Sequence, residues 1–196
     1  MKLKYNYWYF TKAISPAQCQ RIIKTATKMP YTTGTIEGNP EADKPEIDPK
    51  YRKVKITSIS DPEIYSLLNP FIHGANKSAG WNFQWDWNET SQFAMYNKSD
   101  HYEWHHDEAE PFKIYNNKVR KLSLSLQLTD PSRYEGGDMQ FRWLDAHGEP
   151  TTETVKKSKD RGTIIIFPSF VFHRITPIKK GTRLALINWS LGEKFK

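Results

Sequence analysis

From Leu122 to Leu128 the chain alternates strictly, with leucine at 122, 124, 126 and 128 and with Ser123, Ser125 and Gln127 between them. Successive side chains of an extended strand point to opposite faces, so this segment carries one face of leucine and one of polar groups. A helix would scatter the same leucines around its axis. The leucine face needs an apolar layer laid over it, and the polar face needs either water or a polar cavity. Around this strand the texture is consistent: from Trp81 onward, short runs of aromatic and β-branched residues are separated by turn signals. They predict strands near 82–87, 91–97, 102–107, 120–129, 138–143, 163–167, 171–175 and 182–191. Short strands at that density read as a β-sandwich or barrel.

The first half of the chain reads differently. Residues 5–10 are aromatic-rich and read as a strand, and Ser15-Pro16-Ala17-Gln18 is a capping box with proline at the first helical position, predicting a helix to about Lys28. Ser60-Asp61-Pro62-Glu63 repeats that logic and opens a second helix, which Pro70 is expected to bend or interrupt before Gly80. Between them, Glu37 to Lys50 holds three prolines, five acids and no large apolar residue except Ile47, so it reads as a flexible loop. At 196 residues the expectation is one domain, with a strand and supporting helices over 1–80 and the β-rich core over 81–196. The class is α+β, mainly β, with the helices packed on one sheet.

A net charge of +7 permits an acidic partner without demanding one. Cys19 is alone, so no internal disulfide can form, and its setting reads as helix packing. The opening Met1-Lys-Leu-Lys-Tyr-Asn-Tyr-Trp-Tyr-Phe10 alternates instead of forming a signal-type apolar run, and no segment approaches membrane-spanning length. The expectation is a soluble, cytoplasmic protein with no membrane partner.

Chemistry enters at Tyr96-Asn-Lys-Ser-Asp-His-Tyr102-Glu-Trp-His105-His-Asp107. Two histidines and one carboxylate on one face of a metal, with the opposite positions open, is how non-haem Fe(II) oxygenases hold iron. On a strand His105 and Asp107 project to the same side, but so do His101 with Glu103 and His106 with Glu108, and the local pattern does not choose among them. A second cluster narrows the field. His173 ends the apolar run Gly162-Thr-Ile-Ile-Ile-Phe-Pro-Ser-Phe-Val-Phe172, and a histidine carried on a buried run needs a partner or a metal. Pro177 to Gly181 reads as a turn that would set Arg183 on the neighbouring strand, roughly opposite His173. Guanidinium matches carboxylate bidentately, so an arginine there suggests a co-substrate that carries a carboxylate.

Together these residues resemble the prolyl 4-hydroxylase-like branch of the 2-oxoglutarate and Fe(II)-dependent dioxygenases. The family pattern of Tyr, spacer, Tyr, two residues and His-x-Asp falls on Tyr96, Tyr102, His105 and Asp107, which selects that pair over its rivals. The family's distal histidine, Thr-Pro, Gly and an arginine ten residues on fall on His173, Thr176, Pro177, Gly181 and Arg183. The turn Tyr134-Glu-Gly-Gly-Asp138, Trp189 and the helix opening at Ala13 are also similar, so the likeness covers nearly the whole chain. Two positions depart from the pattern: Ser99 stands where glycine is usual, and Gln127 where some relatives carry a tyrosine that helps bind oxoglutarate.

The resemblance implies a double-stranded β-helix (jelly-roll) core, with His105, Asp107 and His173 as metal ligands. It implies Fe(II), 2-oxoglutarate as co-substrate and O2, and it allows ascorbate. Arg183 would anchor the oxoglutarate tail, with Tyr96 as preferred helper, Ser125 and Gln127 as next candidates beside Ser123, and Trp189 beside the cofactor. The implied reaction hydroxylates a C–H bond, first of all of a proline in a peptide or protein, and releases succinate and CO2. Trp85, Trp104 and Trp189 would exclude water, and the 37–50 loop would close over an extended substrate.

Three other readings compete. Nucleic-acid base demethylation is encouraged by the basic cluster Lys156-Lys157-Ser-Lys159-Asp-Arg161, by Trp104 and by Asp107-x-x-Glu110, but that branch carries a denser arginine motif after the distal histidine. A non-catalytic jelly-roll binding module and a zinc-dependent hydrolase are the others. Neither of these gives Arg183 a task.

Overall fold

The structure, a computed structural model, describes residues 3–36, 46–108 and 118–195. In chain order its elements are β1 (Trp8–Phe10), α1 (Pro16–Ala26), β2 (Thr32–Thr33), β3 (Arg52–Lys53), β4 (Lys55–Ile59) and α2 (Pro62–Ser78). Then follow β5 (Trp87–Asn88), β6 (Ser91–Tyr96), β7 (His101–His105), β8 (Lys118–Gln127), β9 (Tyr134–Gly136) and β10 (Met139–Leu144). The last are β11 (Pro150–Thr154), β12 (Ile164–Pro168), β13 (Phe172–Ile175), β14 (Ile178–Gly181) and β15 (Arg183–Glu193). The larger sheet runs β1-β12-β8-β15-β6-β4-β2, with β5 paired to β15, and the smaller runs β11-β10-β13-β7-β3. These antiparallel sheets face each other as the two layers of a jelly roll, and β14 pairs with β9 as a separate two-stranded ribbon.

The alternating run is the centre of the larger sheet, since β8 lies between β12 and β15. Leu122, Leu124, Leu126 and Leu128 join one buried cluster with Ile164, Ile166 and Leu186 from the flanking strands and with Ile22, Ile64, Leu68 and Ile72 from α1 and α2. The helices are thus the apolar layer that the leucine face required. Ile165 and Phe167 of β12 point the other way and pack between the sheets with Tyr96, Met139, Phe141 and Ile175. Leu126→Ala is expected to destabilise the protein by about 2–5 kcal/mol, because it empties a fully buried site between sheet and helix. Urea unfolding would measure this as a lowered midpoint with an unchanged slope.

Local signals set the helix ends. Ser15 accepts from the Gln18 N–H and the Gln18 side chain returns to the Ser15 backbone, with Pro16 opening α1. For α2 the cap is Asp61, whose carboxylate accepts from the Glu63 N–H. Of the two effects expected of Pro70, a bend or an interruption, the interruption does not occur, and α2 runs through it. Proline removes the N–H that would bond Ser66, but both residues are exposed, so water can take the freed carbonyl and the helix continues on its packed face.

Other differences follow the same pattern of tertiary pairing outweighing local signal. Pro177–Gly181 is not a simple turn, because Ile178–Gly181 forms β14 against β9. Residues 82–87 are mostly irregular, with only Trp87 entering a strand. Short strands β2, β3 and β4 carry no strong sequence pattern of their own, and β4 is stabilised by pairing with β6. The first half of the chain thereby contributes strands to both sheets. Most of the expected 37–50 loop, residues 37–45, lies outside the described residues; its flanks meet in a bridge between Ile36 and Glu46.

Candidate active site

His105 ends β7 and His173 sits in β13 directly across from it, the two residues being paired in register. Asp107 has already left the strand. Its backbone N–H bonds the Ser169 carbonyl at 2.7 Å, which swings the carboxylate back beneath the two imidazoles. One oxygen lies 3.7 Å from His105 Nε2 and the other 3.6 Å from His173 Nε2. The three ligand atoms lie within 4.8 Å of one another and, among the described residues, form the one such group of three.

Both rings are oriented by backbone carbonyls. His105 Nδ1 is 2.7 Å from the Glu103 carbonyl and His173 Nδ1 is 3.0 Å from that of Val171. Each contact fixes the proton on Nδ1 and leaves the Nε2 lone pair facing the cluster, the second-sphere arrangement metal-binding histidines use. Burial, and then the neighbouring His173, push His105 well below the usual histidine range, so the ring is neutral and free to ligate. Burial alone would raise the Asp107 carboxyl; His173, His105, Arg120 and the Ser123 hydroxyl overcome it and hold it down to about 2. Ser123 donates to Asp107, so the Ser169 hydroxyl, 3.0 Å away, donates in turn to Ser123. Two imidazoles with their Nε2 atoms turned inward and one carboxylate on one side of a common point fit a divalent cation, and the donor set matches the facial geometry of non-haem iron.

The rival histidines point elsewhere. His101 contacts the carbonyls of Ser99 and Lys50, and His106 packs on Phe172. Glu103 is within 3.6 Å of Arg174.

Two connected spaces meet at the cluster. The outer one, about 760 Å³, is bounded by Tyr51, Arg52, Glu89, Arg120, Phe172 and Trp189, and a narrow inner one by Tyr96, Ser125, His173 and Arg183; His105 and Asp107 line both. Arg183 is only 3 % exposed, and no acidic side chain among the described residues is within ion-pair reach of it. Its guanidinium carbon lies 5.4 Å from the centre of the Tyr96 ring. Arg183 begins β15, so it belongs to the larger sheet and faces His173 across the sandwich instead of from a neighbouring strand.

Among the other residues singled out in the sequence, Ser125 and Trp189 line the inner space. Gln127 does not: it is buried away from that lining, with its amide donating to the Thr129 carbonyl. Trp85 packs on His73 in the helix-side cluster, and Trp104 lies beneath Arg142 and Arg174, outside both linings; of the three tryptophans only Trp189 borders the site. Ser99 adopts φ +72°, so it makes the left-handed turn glycine would make. Lys157 pairs with Asp160 and Lys159 with Asp138, away from the cavity walls, and Glu110 lies outside the described residues.

Several lining residues had no sequence signal. Arg52 donates to the Thr35 carbonyl and to Gln92 Oε1, both at 2.6 Å, with its guanidinium 4.5 Å from the centre of the Tyr102 ring. Arg120 makes a two-pronged pair with Glu89 at 2.6 and 2.7 Å, and its guanidinium carbon stacks 4.1 Å from the Trp189 ring centre.

With this geometry established, comparison with known proteins is informative. The family model of the 2OG-Fe(II) oxygenase superfamily matches residues 91–191, just over half the chain and the whole of the metal cluster. The chain belongs to the 2OG-Fe(II) oxygenase superfamily. It is 37 % identical over 90 residues to a PKHD-type hydroxylase of Synechococcus sp. (strain CC9902), covering 46 % of this chain and 36 % of that protein. With a PKHD-type hydroxylase of Aliarcobacter butzleri it shares 32 % over 99 residues, covering 50 % of this chain and 41 % of that one. The chain therefore matches these curated relatives over less than half of their length. In fold it is similar to the viral collagen prolyl hydroxylase of Paramecium bursaria Chlorella virus-1 in complex with 2OG, with a TM-score of 0.66, 19 % identity and coverage of 96 % and 97 %. A Pseudomonas putida prolyl-4-hydroxylase gives 0.66, 17 %, 95 % and 93 %.

Proposed function

We propose that this chain is an Fe(II)- and 2-oxoglutarate-dependent dioxygenase that hydroxylates a prolyl C–H bond in a peptide or protein. The observation that carries this reading is Arg183, a buried guanidinium without a carboxylate partner among the described residues, facing the same inner space as His105, Asp107 and His173. A zinc hydrolase or a binding module has no need of a buried, unneutralised cation there, whereas a chelating keto acid with a distal carboxylate does.

In this reading His105, Asp107 and His173 hold the metal through two Nε2 atoms and a carboxylate oxygen. When bound, Fe(II) with 2-oxoglutarate and O2 supplies the oxidation of a C–H bond to an alcohol, with succinate and CO2 as co-products. The chain's own work is orientation. The Glu103 and Val171 carbonyls fix the imidazoles, Ser123 and the Ser169 backbone fix Asp107, and Arg183 orients the co-substrate. Trp189 and Tyr102 wall the junction of inner and outer spaces and exclude water from it. The outer space, open to solvent and walled by Tyr51, Trp87 and Phe172, suits an extended polypeptide. We also propose a single domain in which residues 1–80 support a catalytic core over 81–196.

The prolyl target is supported by the PKHD-type hydroxylases among the relatives and by similar folds that are prolyl hydroxylases, one of them in complex with a hypoxia inducible factor peptide fragment. Incubation with Fe(II), 2-oxoglutarate and a peptide library is expected to add one oxygen to proline-containing members, as read by mass spectrometry, with succinate formed in step. Oxygen added only to other residues would replace the substrate; no succinate under any condition would remove the oxygenase reading.

A further inference from the structure

We infer that the aromatic groove between β1 and the β10–β11 hairpin is a second polypeptide-binding site, which takes a proline-rich stretch in polyproline II conformation from the same polypeptide whose proline enters the active site. The choice of occupant rests on the prolyl reading above; the groove itself does not. It holds about 550 Å³ and is lined chiefly by Tyr5, Tyr7, Trp8, Tyr9, Trp143 and Glu153, none of which lines the inner or the outer space at the metal cluster.

Topology opens this groove. β1 is an outermost strand of the larger sheet and β11 of the smaller, and here the two layers end side by side. Tyr7 bridges them: its hydroxyl donates to Glu153 of β11 at 2.6 Å, and its ring stacks on Phe141 of β10 at 4.9 Å and 10°. Held at both ends, Tyr7 is a rigid floor. Tyr9 stacks beside it at 6.3 Å, and Tyr5 stands edge-on to Trp8 at 5.3 Å. Tyr5 and Tyr9 remain 40 % and 43 % exposed. Sheet edges normally avoid large exposed aromatic side chains, so a cluster of them on one marks a contact surface.

The lining selects the ligand. Its one carboxylate, Glu153, is engaged by the Tyr7 phenol, and its one cation, Lys4, lies over the Tyr5 ring. Such a groove offers neither the row of cations a nucleic acid needs nor an unengaged acid for a basic peptide. It offers flat rings with hydroxyl and indole donors at their edges. Polyproline II has no internal hydrogen bonds, so its carbonyls are bare acceptors, and its pyrrolidine rings present apolar faces to stack. Aromatic-lined grooves recognise it for those reasons, at little ordering cost because the helix is preformed. Position agrees with this occupant: Arg142, the chain neighbour of Trp143, is paired in register with Phe172, the half-exposed wall of the outer space. A single extended polypeptide can therefore span both sites, and a stretch held in the groove raises the concentration of its neighbouring prolines at the metal.

The test is calorimetric titration of the full chain, without metal, with a blocked proline decamer, a Gly-Ser decamer and maltoheptaose. The proline decamer alone is expected to bind. Tyr9→Ser and Trp143→Ala are each expected to weaken it about 10-fold or more, as loss of an aromatic anchor does, while Phe172→Ala leaves it unchanged. Turnover gives a second readout: a proline-rich tail added to a hydroxylated peptide is expected to lower its KM, and Tyr9→Ser to return that KM to the untailed value with kcat unaltered. Three results overturn the inference and leave the oxygenase reading intact: no decamer binding, maltoheptaose binding in its place, or decamer binding lost in Phe172→Ala but kept in Tyr9→Ser and Trp143→Ala. Decamer binding without succinate formation from any peptide overturns the prolyl reading, and with it the assignment of the groove to the substrate.

Discussion

Asp107→Ala will strip the protein of its metal. After dialysis against Fe(II) or Mn(II) and removal of free ion, the variant is expected to retain almost none, and succinate production is expected to fall to background. Removing an outer-sphere partner of a metal ligand already costs 10–100-fold, so deleting the only anionic ligand costs at least about 100-fold in affinity. Among the described residues the rivals are poorly placed: His101 and His106 face away, and Glu103 is held near Arg174. Glu108 is the residue to watch, because its backbone shares the Ser169 carbonyl with Asp107. Full metal content with coupled turnover in Asp107→Ala would make Glu108 the ligand. The unfolding midpoint separates this effect from a folding defect. Ser123 and Ser169 lose one acceptor but keep each other, so the expected destabilisation is only about 1 kcal/mol.

That variant probes the part of the site most legible in the sequence. The strict alternation of 122–128 places β8 in mid-sheet, and the run ending at His173 announces a buried histidine. The i, i+2 rule puts His105 and Asp107 on one side, though for an incomplete reason: Asp107 lies beyond the strand and is steered by a bond to Ser169, a residue sixty-two positions away. What the sequence hid depends on pairing that no local pattern records. Extrapolating the alternation backwards sends Arg120 to the leucine face. A β-bulge intervenes, since Ser190 pairs with Leu122 and Leu191 with Arg120, so Lys121 is skipped and Arg120 turns toward the cavity and Trp189. In the same way a five-residue segment with Pro at one end and Gly at the other looks like a turn, yet β14 pairs with β9 and thereby carries the chain from one sheet to the other between His173 and Arg183. Ten residues of sequence separate these two side chains, and a change of layer makes them face each other.

Arg183→Met is expected to show opposite signs in binding and stability. Titration of the metal-loaded variant with 2-oxoglutarate should show a loss of about 100-fold or more, because truncating one side of a buried, hydrogen-bonded charge pair costs roughly 2–5 kcal/mol. Metal affinity is expected to stay at the wild-type level, since Arg183 is not one of the three ligands and its guanidinium lies over the Tyr96 ring. Oxalate, which needs only the metal, should bind both proteins alike. Without ligand, the wild type holds a guanidinium that is 3 % exposed and has no anionic partner among the described residues, an arrangement that opposes folding. Methionine is unbranched, close in length and free of that desolvation cost, and its neighbours Tyr96, Tyr134 and Ile178 are apolar or aromatic. The ligand-free variant should therefore unfold at the same or a higher urea concentration than wild type. Added 2-oxoglutarate should raise the midpoint of the metal-loaded wild type and leave that of the variant unmoved, because only a ligand that binds the native state stabilises it. A variant that is strongly destabilised without ligand would show Arg183 to be a structural cation. Unaltered 2-oxoglutarate affinity would place the carboxylate elsewhere, and Arg52, the other arginine lining the inner space, would be the first residue to replace.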